Sequence, residues 1–441
     1  MPVVRSALRL LFRRALATYF RKIEVAGDVP TSSTRGRIFC GNHVNGLVDP
    51  TLVLVMAPCD VSPIGKSTLW KIPGLKWLLE AVDAVPIVRR RDEPNKTAAQ
   101  NDEVFDKVKE HLARGGNILI FPEGTSHNEP HLLGLRSGAG RMLARAEPEA
   151  KGLTFQAVAL EFDARTTFRS RALLFFGPVR EVDALAKAGQ HGDALAAAIT
   201  EQVRLDLSEL LVEGATWEER VVIARVAEMF VTDAEPAGAR GKAGERSLVQ
   251  WNEIGRRVEE ARKALSPGDA LYERLAHEVG EYFEALEETG IADDQLVHGG
   301  FSLHPARVAR AAGLLLLAPL ALLGVILYFV PYQVPRLATR LSRGTLDVVS
   351  TYKLGAGLLV HPLFAAGYVA LAFLYLPLPQ AGLAAVAILL APFAALAWTD
   401  RSSRLFGSLR LLVPSSRIDA LRSLRGGVKK TLDLAREKVG A

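Results

Sequence analysis

Three apolar runs, Ala311 to Val330, Leu354 to Leu376 and Ala381 to Trp398, constrain this chain more than any other feature. Each is close to the roughly 20 residues a helix needs to cross a bilayer core. In such close succession they read as membrane segments, so residues 301–400 are expected to be membrane-embedded. The runs hold no acid or base beyond His361, which argues against a transporter, whose pathway needs ionisable groups at depth. Their flanks are basic: Arg307 and Arg310 before the first, Arg336, Arg340, Arg343 and Lys353 between the first and second, and Arg401, Arg404 and Arg410 after the third. Only the link Pro377-Leu378-Pro379-Gln380 carries no charge. Cytoplasmic flanks are the basic ones, so every long polar segment is expected on the cytoplasmic face. That requires a re-entrant or in-plane first run, bent at Pro319, followed by a two-helix hairpin. A first run that simply crosses is the competing arrangement.

The formal charge of +6 is unevenly spread. Residues 1–22 hold six Lys or Arg and no acid, residues 401–441 ten against three acids, and residues 253–300 twelve acids against five bases. Basic ends beside apolar runs suit a surface of anionic membrane lipids. No basic stripe with interleaved aromatics suggests nucleic acid. Residues 1–22 place Val4, Leu8, Leu11, Phe12, Ala15 and Tyr19 at helical spacing among arginines, which predicts an amphipathic interfacial helix. Arg13 and Arg14 break the apolar stretch that a signal peptide would need. Two cysteines, Cys40 and Cys59, give no disulfide framework and fit a reducing compartment.

From residue 23 to 213 strand and helix signals alternate, with strands at 36–40, 85–88, 117–121, 154–162 and 172–177 and helices near 50–57, 71–81, 95–114 and 137–146. The pattern predicts an α/β fold, a sheet flanked by helices with its chemistry at strand ends. Residues 214–300 then read as a helical subdomain, either a cover over the site or an interaction surface. Residues 401–441 read as a basic C-terminal tail.

The chemistry is carried by a few short stretches. In Gly41-Asn42-His43-Val44-Asn45-Gly46-Leu47-Val48-Asp49-Pro50 a buried strand gives way to a turn and then a helix. That geometry brings the Asp49 carboxylate back to the His43 imidazole, fixing its tautomer and leaving one ring nitrogen free to accept a proton. A hydroxyl-bearing substrate then supplies the nucleophile. The strand Val85 to Val88 ends in Arg89, suited to hold a phosphate through paired N–H donors. Ile118 to Phe121 runs into Pro122-Glu123-Gly124-Thr125-Ser126, where Gly124 permits close backbone approach and Glu123 and the hydroxyls of Thr125 and Ser126 face the site. His127 and His131 with Glu123 and Glu129 suggest zinc, but Pro130 spoils their helical pairing and no third ligand is apparent. No metal is expected.

In this order the His43/Asp49 block, the Pro86–Arg89 strand, the Phe121–Gly124 block and the strand at Val158-Ala159-Leu160 resemble the four motif blocks of the glycerophospholipid acyltransferase family. The five-residue gap between His43 and Asp49 is similar to the yeast-type glycerol-3-phosphate/dihydroxyacetone-phosphate acyltransferase branch and its bacterial relatives. So are Leu132 to Gly138, Phe168 to Arg171, and Gly290-Ile291-Ala292-Asp293-Asp294-Gln295. The resemblance implies His43 as base, Asp49 as its orienting partner, Arg89 as phosphate ligand, and Glu123, Gly124 and Thr125 in the acceptor site. The chain departs from the family pattern at Asp83, where many relatives have Gly, and at Ser126, where many have Arg. The second departure removes a phosphate contact that Arg136, Arg169 or Arg171 then has to supply.

The resemblance thus implies transfer of a fatty acyl group from acyl-CoA, or from an acyl-carrier thioester, to glycerol-3-phosphate or dihydroxyacetone phosphate, with no cofactor beyond that co-substrate. Lysophosphatidate as acceptor is the alternative, and a non-catalytic membrane lipid-binding protein the reading from another class.

Overall fold

The computed structural model describes residues 2–30, 35–88, 98–234, 247–266, 268–298, 305–341, 345–409 and 414–439. Two compact units divide them. One holds the described residues up to Glu213 together with 345–354, and the other holds 214–341 and 355–439.

The first unit runs α1 (Pro2–Tyr19), β1 (Lys22–Gly27), β2 (Arg37–Gly41), α2 (Val48–Met56), β3 (Ser62–Lys66), a 3-10 turn (Ser67–Lys71), α3 (Leu75–Ala81), β4 (Val85–Ile87), α4 (Ala98–Ala113), β5 (Asn117–Ile120), α5 (Gly138–Ala146), β6 (Thr154–Phe162), β7 (Arg171–Glu181), α6 (Val182–Lys187) and α7 (Gly192–Leu210). The strands form one sheet in the order β1-β7-β6-β2-β5-β3-β4. Every pairing is parallel except β6 with β7, so β1 and β7 run against the other five. Both β2 and β5 are buried at every position, and strands covered on both faces read as continuous apolar runs. Alternate residues serve opposite faces. Ile38, Cys40, Ile118 and Ile120 pack with Val108 of α4, Met142 and Leu143 of α5 and Ile199 of α7, while Phe39 and Leu119 pack with Leu16, Phe20, Leu52 and Val53 around α1 and α2.

Five of these strands coincide with the strands expected from sequence. β1 and β3 do not appear among them, because β1 lies at the sheet edge with a mixed sequence and β3 contains Pro63 and Gly65, which weaken a strand signal. The helix expected over 71–81 is shorter: Pro73-Gly74 separates the 3-10 turn from α3.

α1 is docked on its own unit along one stripe. Leu8, Leu16 and Tyr19 are buried, Arg5 bonds Asp83 and the Val61 carbonyl, and Arg9 bonds the Val55 and Ala57 carbonyls. Val3, Leu10 and Leu11 face outward beside the exposed Arg13 and Arg14. The apolar set read from sequence therefore splits, with Leu8 and Tyr19 inward and Leu11 outward.

The second unit holds α8 (Trp217–Ala234), α9 (Leu248–Lys263), α10 (Ala270–Thr289), α11 (Asp293–His298), α12 (Pro305–Leu341), α13 (Val349–Tyr375, whose first turns belong to the other unit), α14 (Leu378–Leu409) and α15 (Ser415–Val439). Three stretches, Val308–Leu337, Leu346–Tyr375 and Leu378–Ser402, are long and apolar enough to cross a membrane. α12 stays helical through Pro319, Pro331 and Pro335; no break replaces it at Pro319. It packs antiparallel to α14, as Trp398 Nε1 donates to the Leu314 carbonyl at one end and Tyr328 Oη to the Ile388 carbonyl further along.

The expected basic tail is, over 415–439, a helix. α15 packs on α10 through Leu421, Val428 and Leu432 and is fastened by Arg425, whose guanidinium meets both oxygens of the fully buried Asp293 at 2.7 and 3.2 Å. Tyr282 also donates to Asp293 at 2.5 Å. Burial opposes the charge on Asp293, but the bonds from Arg425, Thr232 and Tyr282 outweigh it and hold the carboxyl below its usual range. This gives the 290–295 motif a structural role as the anchor of α15. Asp293→Ala is expected to cost about 3 kcal/mol, since it removes the main partner of a buried guanidinium. A melting temperature of the detergent-solubilised variant within a degree of wild type would refute it.

Candidate active site

The site is built where β2 and β5 end side by side. Asn42, the first residue past β2, continues the sheet with its side chain: Nδ2 donates to the Leu160 carbonyl and Oδ1 accepts from Leu160 N–H, at 3.1 and 2.7 Å. The backbone is thereby fixed just before it turns. His43 follows, stacked on Phe121 from the end of β5 with ring centroids 4.2 Å apart and planes 18° apart.

Asp49 lies in the first turn of α2, where the helix dipole favours a carboxylate. Its side chain is fully buried. Oδ2 accepts from His43 Nδ1 at 2.9 Å, Val44 N at 2.8 Å and Asn45 N at 2.7 Å. Because the carboxylate only accepts, His43 carries its proton on Nδ1 and presents the Nε2 lone pair. Oδ1 of Asp49 is buried with no hydrogen-bond partner among the described residues, so its charge is available to offset a positive imidazolium.

Glu123 braces the dyad. Its Oε1 accepts from His43 N–H at 2.6 Å, and its Oε2 accepts from Leu133 N–H at 3.0 Å and from His127 Nε2. His127 in turn accepts from Glu129 N–H at Nδ1, 3.1 Å, and donates its own N–H to the His43 carbonyl at 3.1 Å. Both ring nitrogens of His127 are thus engaged within the protein, which leaves it neither a free base nor an open metal ligand. Glu123, expected in the acceptor site, has a fully buried side chain committed to protein donors; it holds the two strand ends together.

Gly124 has φ +77°, and a Cβ there would lie 2.5 Å from Arg136 Nε. Glycine therefore lets the Arg136 guanidinium lie across this turn. Arg136 is exposed and forms no ion pair among the described residues. Thr125 donates to the Ser126 carbonyl. Arg169 instead caps α1, donating to the Ala17 and Thr18 carbonyls, and Arg171 pairs with Asp163 at 2.8 Å. Arg89 lies outside the described residues. Cys40 is no competing nucleophile, since burial and the nearby Asp206 push its thiol up to about 12.

Sequence reasoning missed Phe121 as a stacking platform, His127 as a brace, and Arg165, whose guanidinium donates to the Val44 carbonyl at 2.9 Å. It also missed residues 345–354, which pack on the His43 turn.

The acyltransferase family model matches residues 22–161. This chain carries an acyltransferase domain. It is 26% identical over 305 residues to an uncharacterized acyltransferase of Schizosaccharomyces pombe, covering 64% of this chain and 43% of that protein. It is 25% identical over 291 residues to glycerol-3-phosphate O-acyltransferase 1 of Saccharomyces cerevisiae, covering 61% and 37%. With the lyso-ornithine lipid O-acyltransferase of Pseudomonas aeruginosa it shares 29% identity over 161 residues, 36% and 55%. The chain thus spans less than half the length of these two yeast relatives. The matched acyltransferase segment includes His43, Asp49, Glu123 and Gly124 and ends inside β6.

Proposed function

We propose that the protein transfers a fatty acyl group from acyl-CoA to the hydroxyl of glycerol-3-phosphate or a close relative, at a membrane and on its cytoplasmic face, in phospholipid biosynthesis. The observation that carries this reading is the His43–Asp49 dyad, with Nδ1 tied to a buried carboxylate and Nε2 without a protein partner among the described residues. Nε2 takes the proton of the acceptor hydroxyl as its oxygen bonds to the thioester carbonyl carbon. Asp49 stabilises the imidazolium. Collapse of the tetrahedral intermediate breaks the carbon–sulfur bond, and the imidazolium returns the proton to the departing thiolate, giving an ester and free CoA.

Among the arginines considered for the acceptor phosphate, Arg136 best fits the role, since it lies against Gly124 and forms no ion pair among the described residues. Arg136→Ala is expected to raise KM for the phosphorylated acceptor about 10- to 100-fold, the worth of a charge-assisted contact, while KM for acyl-CoA stays near wild type. Arg136→Lys should recover only part of this, because a point charge does not replace a planar fork. An unchanged acceptor KM would move the role to Arg89.

The similarity to the lyso-lipid acyltransferase of P. aeruginosa supports a second reading, in which the acceptor, such as lysophosphatidate, already carries one chain. Purified protein given labelled acyl-CoA with glycerol-3-phosphate, dihydroxyacetone phosphate and lysophosphatidate in parallel separates the two. Transfer to none of them would overturn both.

A further inference from the structure

Residues 345–354, which lead into α13, fold with the acyltransferase domain, more than 180 residues from β6 in sequence. Their polar side chains are spent on the site. Thr351 Oγ1 accepts from Leu47 N–H at 3.0 Å. Leu47 caps α2 without a side-chain cap of its own, and helix-start N–H groups need a partner from elsewhere. Asp347, buried, accepts from Ser126 Oγ on one oxygen and from Thr345 Oγ1 on the other. Ser350 Oγ donates to the Arg165 carbonyl and Lys353 Nζ to the Thr166 carbonyl, each at 2.6 Å, while Arg165 itself holds the Val44 carbonyl. Gly46 has φ +47°, and a Cβ there would stand 2.8 Å from Thr351 Oγ1 and 3.0 Å from the Asp347 carbonyl oxygen. Leu354 closes the contact by packing into the cluster that includes Val48 and Leu52.

These bonds converge on residues 44–47, the turn that sets the distance between His43 and Asp49, and on Ser126 in the block that braces His43. The geometry points to Thr351 and Asp347 as positioning residues of the active site, holding the His43–Asp49 turn from a strap that continues directly into a membrane-length helix. A tether with no role in the chemistry would need neither the bond to Leu47 N–H nor the close fit over Gly46.

The inference rests on the acyl-transfer reading for its kinetics, so the test has two readouts. Full-length wild type, Thr351→Val, Thr351→Ser and Asp347→Asn are purified in detergent and matched for melting temperature. First, Thr351→Val is expected to lower kcat about 10- to 100-fold with both KM values within twofold of wild type, Thr351→Ser to recover most of it, and Asp347→Asn to fall between. Second, diethyl pyrocarbonate, which modifies the unprotonated ring nitrogen, should label His43 several-fold more slowly in Thr351→Val than in wild type or Thr351→Ser, as read by peptide mass spectrometry. A labelling rate that Val leaves unchanged or raises overturns the positioning role. If wild type transfers no acyl group yet labelling still follows the hydroxyl at 351, the strap stands and the acyl-transfer reading falls.

Discussion

His43→Ala is expected to lower acyl transfer roughly 10,000-fold, the upper end of what a positioned general base contributes, while the protein still folds and sediments with membranes. The fold should tolerate the change because, among the described residues, the His43 imidazole bonds Asp49 alone and stacks on one face of Phe121, and the turn is held by backbone groups. His43 N–H still reaches Glu123, and Val44 and Asn45 N–H still reach Asp49. Asp49→Asn is expected to cost a smaller but still large factor, about 100- to 1,000-fold. A neutral amide can accept those two N–H bonds, but it no longer offsets the charge of the imidazolium or enforces the tautomer. Rates measured with saturating acyl-CoA and each acceptor check both variants. More than a tenth of wild-type turnover in His43→Ala would remove the base from the mechanism.

The parts of this site legible in the sequence are those that local physics determines. A buried strand, a polar turn and a helix opening at Asp49-Pro50 place a carboxylate against an imidazole within ten residues, and the structure has that arrangement at 2.9 Å. The strands β2, β5 and β6 were legible because local runs in them, Ile38 to Cys40, Ile118 to Ile120 and Ala157 to Leu160, are continuously apolar and buried. What could not be read depended on partners distant in the chain. Glu123 looks like a site carboxylate until His43, His127 and Leu133 are seen to consume its oxygens. Arg169 and Arg171 look like free cations until α1 and Asp163 take them. Thr345, Asp347, Ser350, Thr351 and Lys353 stand as a polar cluster between two apolar runs. That density of hydroxyls and charge was the available signal, but nothing local says that its partners lie near residue 47. The C-terminal helix depends on a distant partner in the same way, since nothing local in the basic stretch 401–441 says that Arg425 pairs with Asp293.

A single cysteine at Leu346, in a chain with Cys40 and Cys59 replaced by Ala, is expected to resist a membrane-impermeant thiol reagent in intact cells and to react once the cells are permeabilised. Leu346 is 54% exposed, so the reagent can reach it on whichever side it lies. The reasoning joins charge to contact. No apolar run separates the acyltransferase domain from the start of α12, so residues up to 298 share one side. Residues 345–354 hydrogen-bond the His43 turn, which places the strap on that side too. α15 is bound to Asp293 and, through Lys438, to Asp269, which returns the C-terminal helix there as well. These constraints predict that α12 begins and ends on one face, which a helix unbroken at Pro319 and antiparallel to α14 as far as Tyr328 meets by bending beyond it, at Pro331 or Pro335, and that α13 with α14 goes in and comes back. The basic flanks, Arg310, Arg336, Arg340 and Arg401 among them, lead to the expectation, by the positive-inside tendency, that this face is the cytoplasmic one. The uncharged link at Pro377 to Gln380 is then the point exposed on the far side, and a cysteine at Gln380 should label in intact cells. Labelling of the Leu346 cysteine from outside would mean that α12 crosses, and that the strap cannot hold the active-site turn in the membrane-bound protein.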